Sequence, residues 1–524
     1  MASVLEPPAM APLAVHAIRL AGKLAVVEDH QDGPRVAWTF AELNREANRL
    51  AHVLADLDVK PGDRVAWCGP NSPGIVRATH ARAKLGVVGV PVNYRLTPAE
   101  AAYIVDNSDS VVVYVDAEYA QTFTSARAAM PNVRHIVTFG GAPPPGTLDG
   151  DALVAGASDA EPAEPAAADS EFVSLIYTSG TTGRPKGALR RAADLARLRA
   201  LLEFVGHVPD DVYLTTGPLY HSGPGGYLGI AHLLGNTAVL QRRFEAEDWL
   251  RLVATYRVSM TFAAPTPIRL VCNLPAEVKA RYDRSSMRRM IANAAPWSFA
   301  LKEAYMADFG EDSLWEVYGS TELGVDTLLA PHEQRRKPGA CGRPAPGVEI
   351  RLYDEHGSEV TEPGVPGEVY IRGVSNFTTY FKADERAAEA RRGDFATVGD
   401  IAYRDQDGFL YICDRKNDMI ISGGMNIYPA EVEAALELHP GVVEAAVFGI
   451  PDDQWGERVH AVVVPRDGHP VSQDDLAAFA RQRLAGYKVP RSVTFAPQLP
   501  HTGSGKLLKR ELREPFWQGR RTRV

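Results

Sequence analysis

The chain has 524 residues, more than one domain usually holds, so two or more lobes with sizeable cores are expected. Its 56 basic residues are outnumbered by 65 acidic ones, and the net charge of -9 argues against a nucleic-acid partner. Cys68, Cys272, Cys341 and Cys413 lie far apart with no C-x-x-C pair, which excludes a zinc pattern and a secreted disulfide framework and suits a reducing cytoplasm. Met1 to Leu20 has no basic start followed by a long apolar run, and no stretch approaches the roughly 18 apolar residues of a membrane helix. A soluble, cytoplasmic chain without stable membrane insertion is therefore expected.

Residues 36 to 115 alternate between strand and helix signals. Thr39 and Glu42, three apart, form a capping box that opens a helix through Leu54. A strand at Asp63 to Trp67, a helix from Ser72 to Leu85, a strand at Val87 to Val92, a helix opened by Thr97-Pro98-Ala99-Glu100 and a strand at Val111 to Val115 follow. This alternation implies a parallel sheet flanked by helices. Ala142 to Ser170, rich in Pro, Ala, Gly and Asp, reads as a surface connector. A second alternating block spans Asp211 to Thr327, with strands near Val212 to Leu214, Thr237 to Leu240 and Met260 to Ala263. From residue 337 to 412, short strands (Val348 to Tyr353, Gly367 to Arg372, Phe409 to Cys413) between Gly and Pro turns suggest a small antiparallel barrel. Past Arg415 the chain reads as an α+β unit: a helix from Pro429, strands at Val443 to Phe448 and Val459 to Val464, a helix capped by Ser472 with Asp475, and a strand at Ser492 to Phe495.

One stretch stands out. Phe172 to Ile176 is an apolar run that reads as a buried strand, and Ala188 to Leu202 reads as a helix. Between them lies Tyr177-Thr178-Ser179-Gly180-Thr181-Thr182-Gly183-Arg184-Pro185-Lys186-Gly187. Its glycines let backbone amides close around an anion, its hydroxyls add donors, and Lys186 adds a mobile charge suited to a polyphosphate. The spacing differs from that of the common ATPase loop, because Lys186 follows a proline and no Ser or Thr follows the lysine.

Further motifs follow in order: Pro218 to Gly226 with His221, Met290 to Pro296, Glu316-Val317-Tyr318-Gly319-Ser320-Thr321-Glu322, Thr397-Val398-Gly399-Asp400, Asp414-Arg415, Ile420 to Pro429, and Pro500-His501-Thr502-Gly503-Ser504-Gly505-Lys506. Together, over about residues 12 to 513, they resemble the adenylate-forming superfamily of acyl- and aryl-CoA synthetases, peptide-synthetase adenylation domains and firefly-type luciferases, and among these fatty-acyl and aryl-CoA ligases most.

The resemblance implies an α/β multidomain fold: a large N-terminal domain of two α/β subdomains plus a β-barrel (residues 1–415) and a small mobile α+β C-terminal domain (416–524). It implies that Thr178, Ser179, Gly180, Thr181, Thr182 and Gly183 cradle the phosphates of ATP with Lys186. Ala294, Ala295 and Pro296 would lie along the adenine, with Trp297 beyond them either lining the pocket or packing. Tyr318 would stack on the base, where an aromatic face suits it, with Gly319 and Ser320 beside it. Thr321 would bond the α-phosphate, and Glu322 would hold Mg²⁺ with Thr181, a cation that favours one carboxylate plus phosphate oxygens. Asp400 would receive the ribose hydroxyls, with Arg415 beside it. His221 would border the acyl pocket. Gly423 and Gly424 would let the arm of coenzyme A pass. Lys506 would reach the reacting carboxylate and α-phosphate. At the hinge, relatives carry Asp or Lys; here the residue is Asn417, which tolerates unusual backbone angles.

The implied reaction joins a carboxylic acid to coenzyme A through an acyl-adenylate, with ATP and Mg²⁺. Small and aliphatic residues in Tyr227 to Leu234 and Thr261 to Leu270 suit a small-molecule acid that is apolar: fatty, alicyclic or aromatic. Alternatives are an enzyme that loads a carrier protein (no carrier domain follows Val524), a binder that has lost catalysis, and a luciferase-like oxygenase. A homodimer is allowed for.

Overall fold

The computed structural model describes residues 12–30, 35–163, 172–178, 185–192, 194–295, 297–373, 377–383, 388, 390–415, 418–423, 425–452, 454–502 and 507–518. Ser179, Gly180, Thr181, Thr182, Gly183, Pro296, Asn417, Gly424 and Lys506 lie outside these residues.

Both expected alternating blocks form sheets. In the first, an eight-stranded sheet runs Phe377–Tyr380, Lys186–Arg191, Phe172–Thr178, Val88–Val92, Arg64–Cys68, Ser110–Asp116, His135–Phe139, Leu148–Asp149 in spatial order. Its strands pair in parallel from Phe172–Thr178 onward. The second block builds most of a nine-stranded sheet, whose central strands Leu314–Ser320, Arg289–Ala292, Met260–Ala263, Val212–Thr215 and Thr237–Leu240 are parallel. Leu24–Glu28 extends that sheet in parallel, and antiparallel strands close both edges. The β-rich stretch forms a six-stranded antiparallel sheet. The last segment forms a five-stranded sheet (including Val442–Asp452 and Gly456–Pro465) on which Pro429–Glu437 and Gln473–Arg481 pack. Among the described residues no helix is long and apolar enough to cross a membrane.

Local signals account for much of this. Thr39 N donates to Glu42 Oε2 at 2.8 Å and Glu42 N to Thr39 Oγ1 at 3.2 Å, so both ends of the box satisfy otherwise orphaned groups at the start of Phe40–Asp56. Thr97 with Glu100 and Ser472 with Asp475 do the same.

Two expectations need correction. The stretch after the Gly- and Thr-rich motif is a strand, Lys186–Arg191, and the helix begins only at Leu195, capped by Asp194. The helix-forming Ala, Leu and Arg residues are overridden by antiparallel pairing on both sides, with Phe172–Thr178 and with Phe377–Tyr380. Gly187 permits the close pairing: a Cβ there would lie 2.8 Å from Leu175 Cδ1.

The second correction concerns Ala142 to Ser170, which is more than a connector. It adds strand Leu148–Asp149 and helix Gly150–Gly156, and it is tied down by buried charge. Arg77, buried beneath it, donates to Asp151 Oδ1 at 3.0 Å, Glu46 Oε2 at 3.1 Å and Tyr114 Oη at 2.6 Å. Substituting Arg77→Met should strand these partners and lower stability by about 3 kcal/mol. Urea unfolding of the variant would show it, and an unchanged midpoint would mean the network is not needed to hold this segment.

Candidate active site

The site lies where the two large sheets and the antiparallel sheet converge, and its side chains come from segments distant in sequence. Strand Leu314–Ser320 ends at the site and turns back as Gly324–Leu329. The turn requires glycines. A Cβ on Gly319 would lie 2.0 Å from Gly324 O, and Gly324 itself has φ +85°.

The turn presents Thr321 and Glu322. Thr178 Oγ1, at the end of its strand, donates to Glu322 Oε1 at 3.1 Å, and Tyr380 Oη donates to the same oxygen at 3.1 Å. Lys186 Nζ lies 5.2 Å from the centre of the Tyr380 ring. One carboxylate, a lysine and two hydroxyls thus meet where strand Phe172–Thr178 ends and strand Lys186–Arg191 begins. Among the described residues no cluster of three or more His, Cys, Asp or Glu could hold a metal by itself. A lone Glu322 still suits Mg²⁺, which commonly takes one or two carboxylates and completes its shell with phosphates and water.

Beside Glu322, Thr321 Oγ1 is 2.9 Å from Ser222 Oγ, the first residue of helix Ser222–Leu233. His221 is the N-cap of that helix, and its ring tilts against Tyr220 at 5.2 Å. Gly223 lets the helix approach the second sheet, since a Cβ there would lie 2.3 Å from the Phe262 ring.

Tyr318 Oη donates to Asp400 Oδ2 at 2.6 Å, and Arg415 Nε lies 3.5 Å from Asp400 Oδ1. The predicted base and ribose residues therefore touch. Ala294 faces this strand in the left-handed region, φ 71°, held by Asn293, whose Nδ2 donates to Val317 O at 2.6 Å. Ser320 Oγ accepts from Leu323 N, so it shapes the turn. Ala295 follows Ala294 on the same loop. Trp297 is buried and meets Tyr305 edge-on, so it packs in the core of the second sheet.

On the C-terminal unit, Gly423 has φ +58°, and its N–H donates to Trp455 O at 2.8 Å. That unit is tied to the second sheet's helices through Glu444, which lies 3.2 Å from Arg269 Nη1 and 2.9 Å from His501 Nε2. Lys506 follows shortly after His501 in sequence.

Several residues at the site carry no motif signal. Tyr380 falls between motifs, and only its pairing with the loop's own strand reveals it. Lys302, outside every motif, forms a buried ion pair with Glu316, the first residue of the Tyr318 motif. Asp326 is fully buried in strand Gly324–Leu329, and neither of its carboxylate oxygens has a hydrogen bond among the described residues. Its one sequence signal is an acid in an otherwise apolar run. Burial, and then the neighbouring Asp400 charge, hold its carboxyl well above the usual carboxylate range.

A family model described as AMP-binding enzyme matches residues 13–381, and one described as AMP-binding enzyme C-terminal domain matches residues 431–506. The chain belongs to this family. It is an AMP-forming acid–thiol ligase of the adenylate-forming superfamily, and ATP and coenzyme A are the co-substrates of its CoA-ligase relatives. A feruloyl-CoA synthase of Amycolatopsis sp is 38% identical over 92% of this chain and 94% of its own length. A fatty acid–[acyl-carrier-protein] ligase of Streptomyces coeruleorubidus is 33% identical over 91% of this chain and 92% of its own. Among solved structures, an anthranilate CoA ligase in complex with anthranoyl-AMP superposes with a TM-score of 0.86, at 25% identity, covering 97% of this chain and 98% of that one.

The Asp326 carboxyl generates a prediction with a definite sign. Its folded pKa is raised, so it stays protonated in the native state while the unfolded chain ionises it above about pH 4. Its contribution is most favourable at low pH and is lost as pH rises toward the folded value. Between about pH 5 and pH 8 the wild type should therefore lose more stability than Asp326→Asn, read from urea midpoints at each pH. Equal losses would show that Asp326 is ionised in the folded protein.

Proposed function

We propose that this AMP-binding enzyme activates a carboxylic acid with an apolar body, fatty, alicyclic or aromatic, as its adenylate and passes the acyl group to coenzyme A. The observation that carries the reading is the convergence on one carboxylate, Glu322, of Thr178 and Tyr380, with Lys186 over the Tyr380 ring. The relatives support a carboxylic acid and leave its class open between aryl and fatty, because a feruloyl-CoA synthase and a fatty acid ligase are both among them. The second of these favours a carrier protein as the alternative acceptor.

The roles follow from charge and reach. In the first half-reaction a carboxylate oxygen bonds to the α-phosphorus of ATP, and the bond to the bridging oxygen breaks, releasing pyrophosphate. Lys186 and the loop from Thr178 through Ser179, Gly180, Thr181, Thr182 and Gly183 neutralise the leaving phosphates. Glu322 and Thr181 would hold Mg²⁺, which supplies further charge compensation. Thr321 bonds the α-phosphate, and Lys506 steadies the reacting oxygens. Tyr318, Gly319, Ser320, Ala294, Ala295 and Pro296 hold the base; Asp400 and Arg415 hold the ribose. In the second half-reaction the thiol sulfur bonds to the acyl carbon and AMP departs with the carboxylate oxygen. Gly423 and Gly424 pass the thiol's arm, and His221 gates the acyl side. Catalysis is positioning and charge, with no covalent bond to the protein. We place the boundary between the AMP-binding domain and a mobile lid at 415/416, with Asn417 as the pivot, and the protein in the cytoplasm, with a homodimer as its simplest assembly.

A panel of carboxylic acids with ATP and Mg²⁺, read for pyrophosphate and then for AMP with and without coenzyme A, tests the reading. Pyrophosphate release followed by coenzyme A-dependent AMP release is expected. Turnover indifferent to coenzyme A would favour carrier loading, and none with any acid would leave only a nucleotide binder. Lys506→Ala should lower the adenylation rate by roughly a hundredfold or more, as loss of a charged transition-state contact does, yet leave thioester formation from supplied acyl-adenylate intact. Equal loss in both half-reactions would remove Lys506 from its role.

A further inference from the structure

A cavity of about 140 Å³ lies behind His221, between helix Ser222–Leu233 and the first sheet. It adjoins the reacting centre, because Ser222, which lines it, is the residue bonded to Thr321. Ile176, also in its wall, lies on the strand that leads into the phosphate loop.

Two arginines line this space, Arg82 from helix Pro73–Lys84 and Arg190 from strand Lys186–Arg191. Arg82 is accommodated by the sheet itself. Gly89 sits inside strand Val88–Val92, where glycine costs strand stability, and a Cβ there would lie 2.7 Å from Arg82 Cδ. The bare backbone is what lets the arginine lie across the sheet. Arg82 Nη1 donates to Val173 O at 2.6 Å, while Arg190 Nε has no hydrogen bond among the described residues. Neither guanidinium is within ion-pair distance of a described carboxylate, and Glu322, which acts on Arg190 through its charge, is not among the lining residues. Burial lowers the Arg82 pKa to about 10 and lowers that of Arg190, the direction expected of cations without a close counter-ion.

Three further features have the same polarity. Tyr220, 7% exposed, lines the cavity, and its hydroxyl has no partner among the described residues. Helix Ser222–Leu233 begins at the cavity with no side-chain cap, so its first amides and the positive end of its dipole face the same region. Thr79 and Ser174 add hydroxyls, and the described lining residues include no Asp or Glu. Trp67 and Leu228 supply apolar surface.

We propose that this cavity receives a carboxylate at the far end of the acid, so that the substrate is a dicarboxylic acid with a short apolar spacer. The proposal rests on the acid-activating reading of the site: one carboxylate is adenylated beside Thr321, and the other is held by Arg82, Arg190 and the helix start. An anion bound there would give both arginines a counter-charge within contact distance, and a bidentate guanidinium–carboxylate contact would fix the acid's register.

Pyrophosphate exchange with matched pairs, cinnamate against 4-carboxycinnamate and hexanoate against adipate, tests this in the wild-type enzyme. The diacid of at least one pair should show a kcat/KM about tenfold or more above its monoacid, the scale of one charged hydrogen bond. Arg190→Met and Arg82→Met should each erase most of that preference through KM while leaving the monoacid within about twofold, and Arg190→Lys should restore part of it. Exchange with monoacids and no diacid preference would overturn this proposal and leave the ligase reading intact. No exchange with any acid would overturn both. Variants that lower monoacid and diacid equally would assign the arginines a structural role and overturn it too. The wild-type pairs decide the matter even where Arg82→Met fails to fold.

Discussion

The Glu322 carboxylate is the constraint on which the architecture turns. Its Oε1 accepts from Thr178 and from Tyr380, side chains of the first sheet, while Glu322 itself stands on the turn after a strand of the second. A carboxylate oxygen shared between two hydroxyl donors couples the position of the elements that carry them. Several of the predicted site residues lie close to this junction. Lys186 rests over the Tyr380 ring, Thr321 is the neighbouring residue, and Tyr318 reaches from the same strand to Asp400 in the antiparallel sheet. Three sheets thereby meet at one polar seam.

Such a seam is electrostatically expensive to build, and the surroundings show how it is sustained. Glycines remove side chains where backbones must cross, as at Gly319 against Gly324 O and Gly187 against Leu175. Buried charge is paired beneath the seam, in Lys302 with Glu316. Asp326 has no such cation among the described residues, and burial raises its carboxyl well above the usual carboxylate range instead. The two arginines behind His221 depart from both patterns. That departure distinguishes them from structural charge elsewhere in the molecule.

Much of this was legible in the sequence, for identifiable reasons. Capping boxes such as Thr39 with Glu42 and Ser472 with Asp475 involve residues three apart, so local sequence suffices. Parallel strands such as Val88–Val92 and Met260–Ala263 are apolar runs bounded by turns. The site motifs, Tyr318 to Glu322 and Asp400, were legible because each clusters unusual residues within a few positions. The failures share one cause, which is dependence on a distant partner. Lys186–Arg191 has helix-forming residues and becomes a strand because Phe377–Tyr380 lies along it. Tyr380 looks like an ordinary strand aromatic until Glu322 is beside it. The fit of Arg82 over Gly89 joins a helix to a strand, and neither residue alone announces it.

That distant pairing has a consequence for how the protein is made. Strand Lys186–Arg191 is flanked on one side by Phe172–Thr178 and on the other by Phe377–Tyr380. A nascent chain leaves the ribosome N-terminus first, and its early segments fold before its late ones exist. Until residue 380 has emerged, the lysine-bearing strand is the bare rim of an unfinished sheet, open to improper partners. The contacts of Tyr380 with Lys186 and with Glu322 therefore form late in synthesis, in the step that also seals the rim.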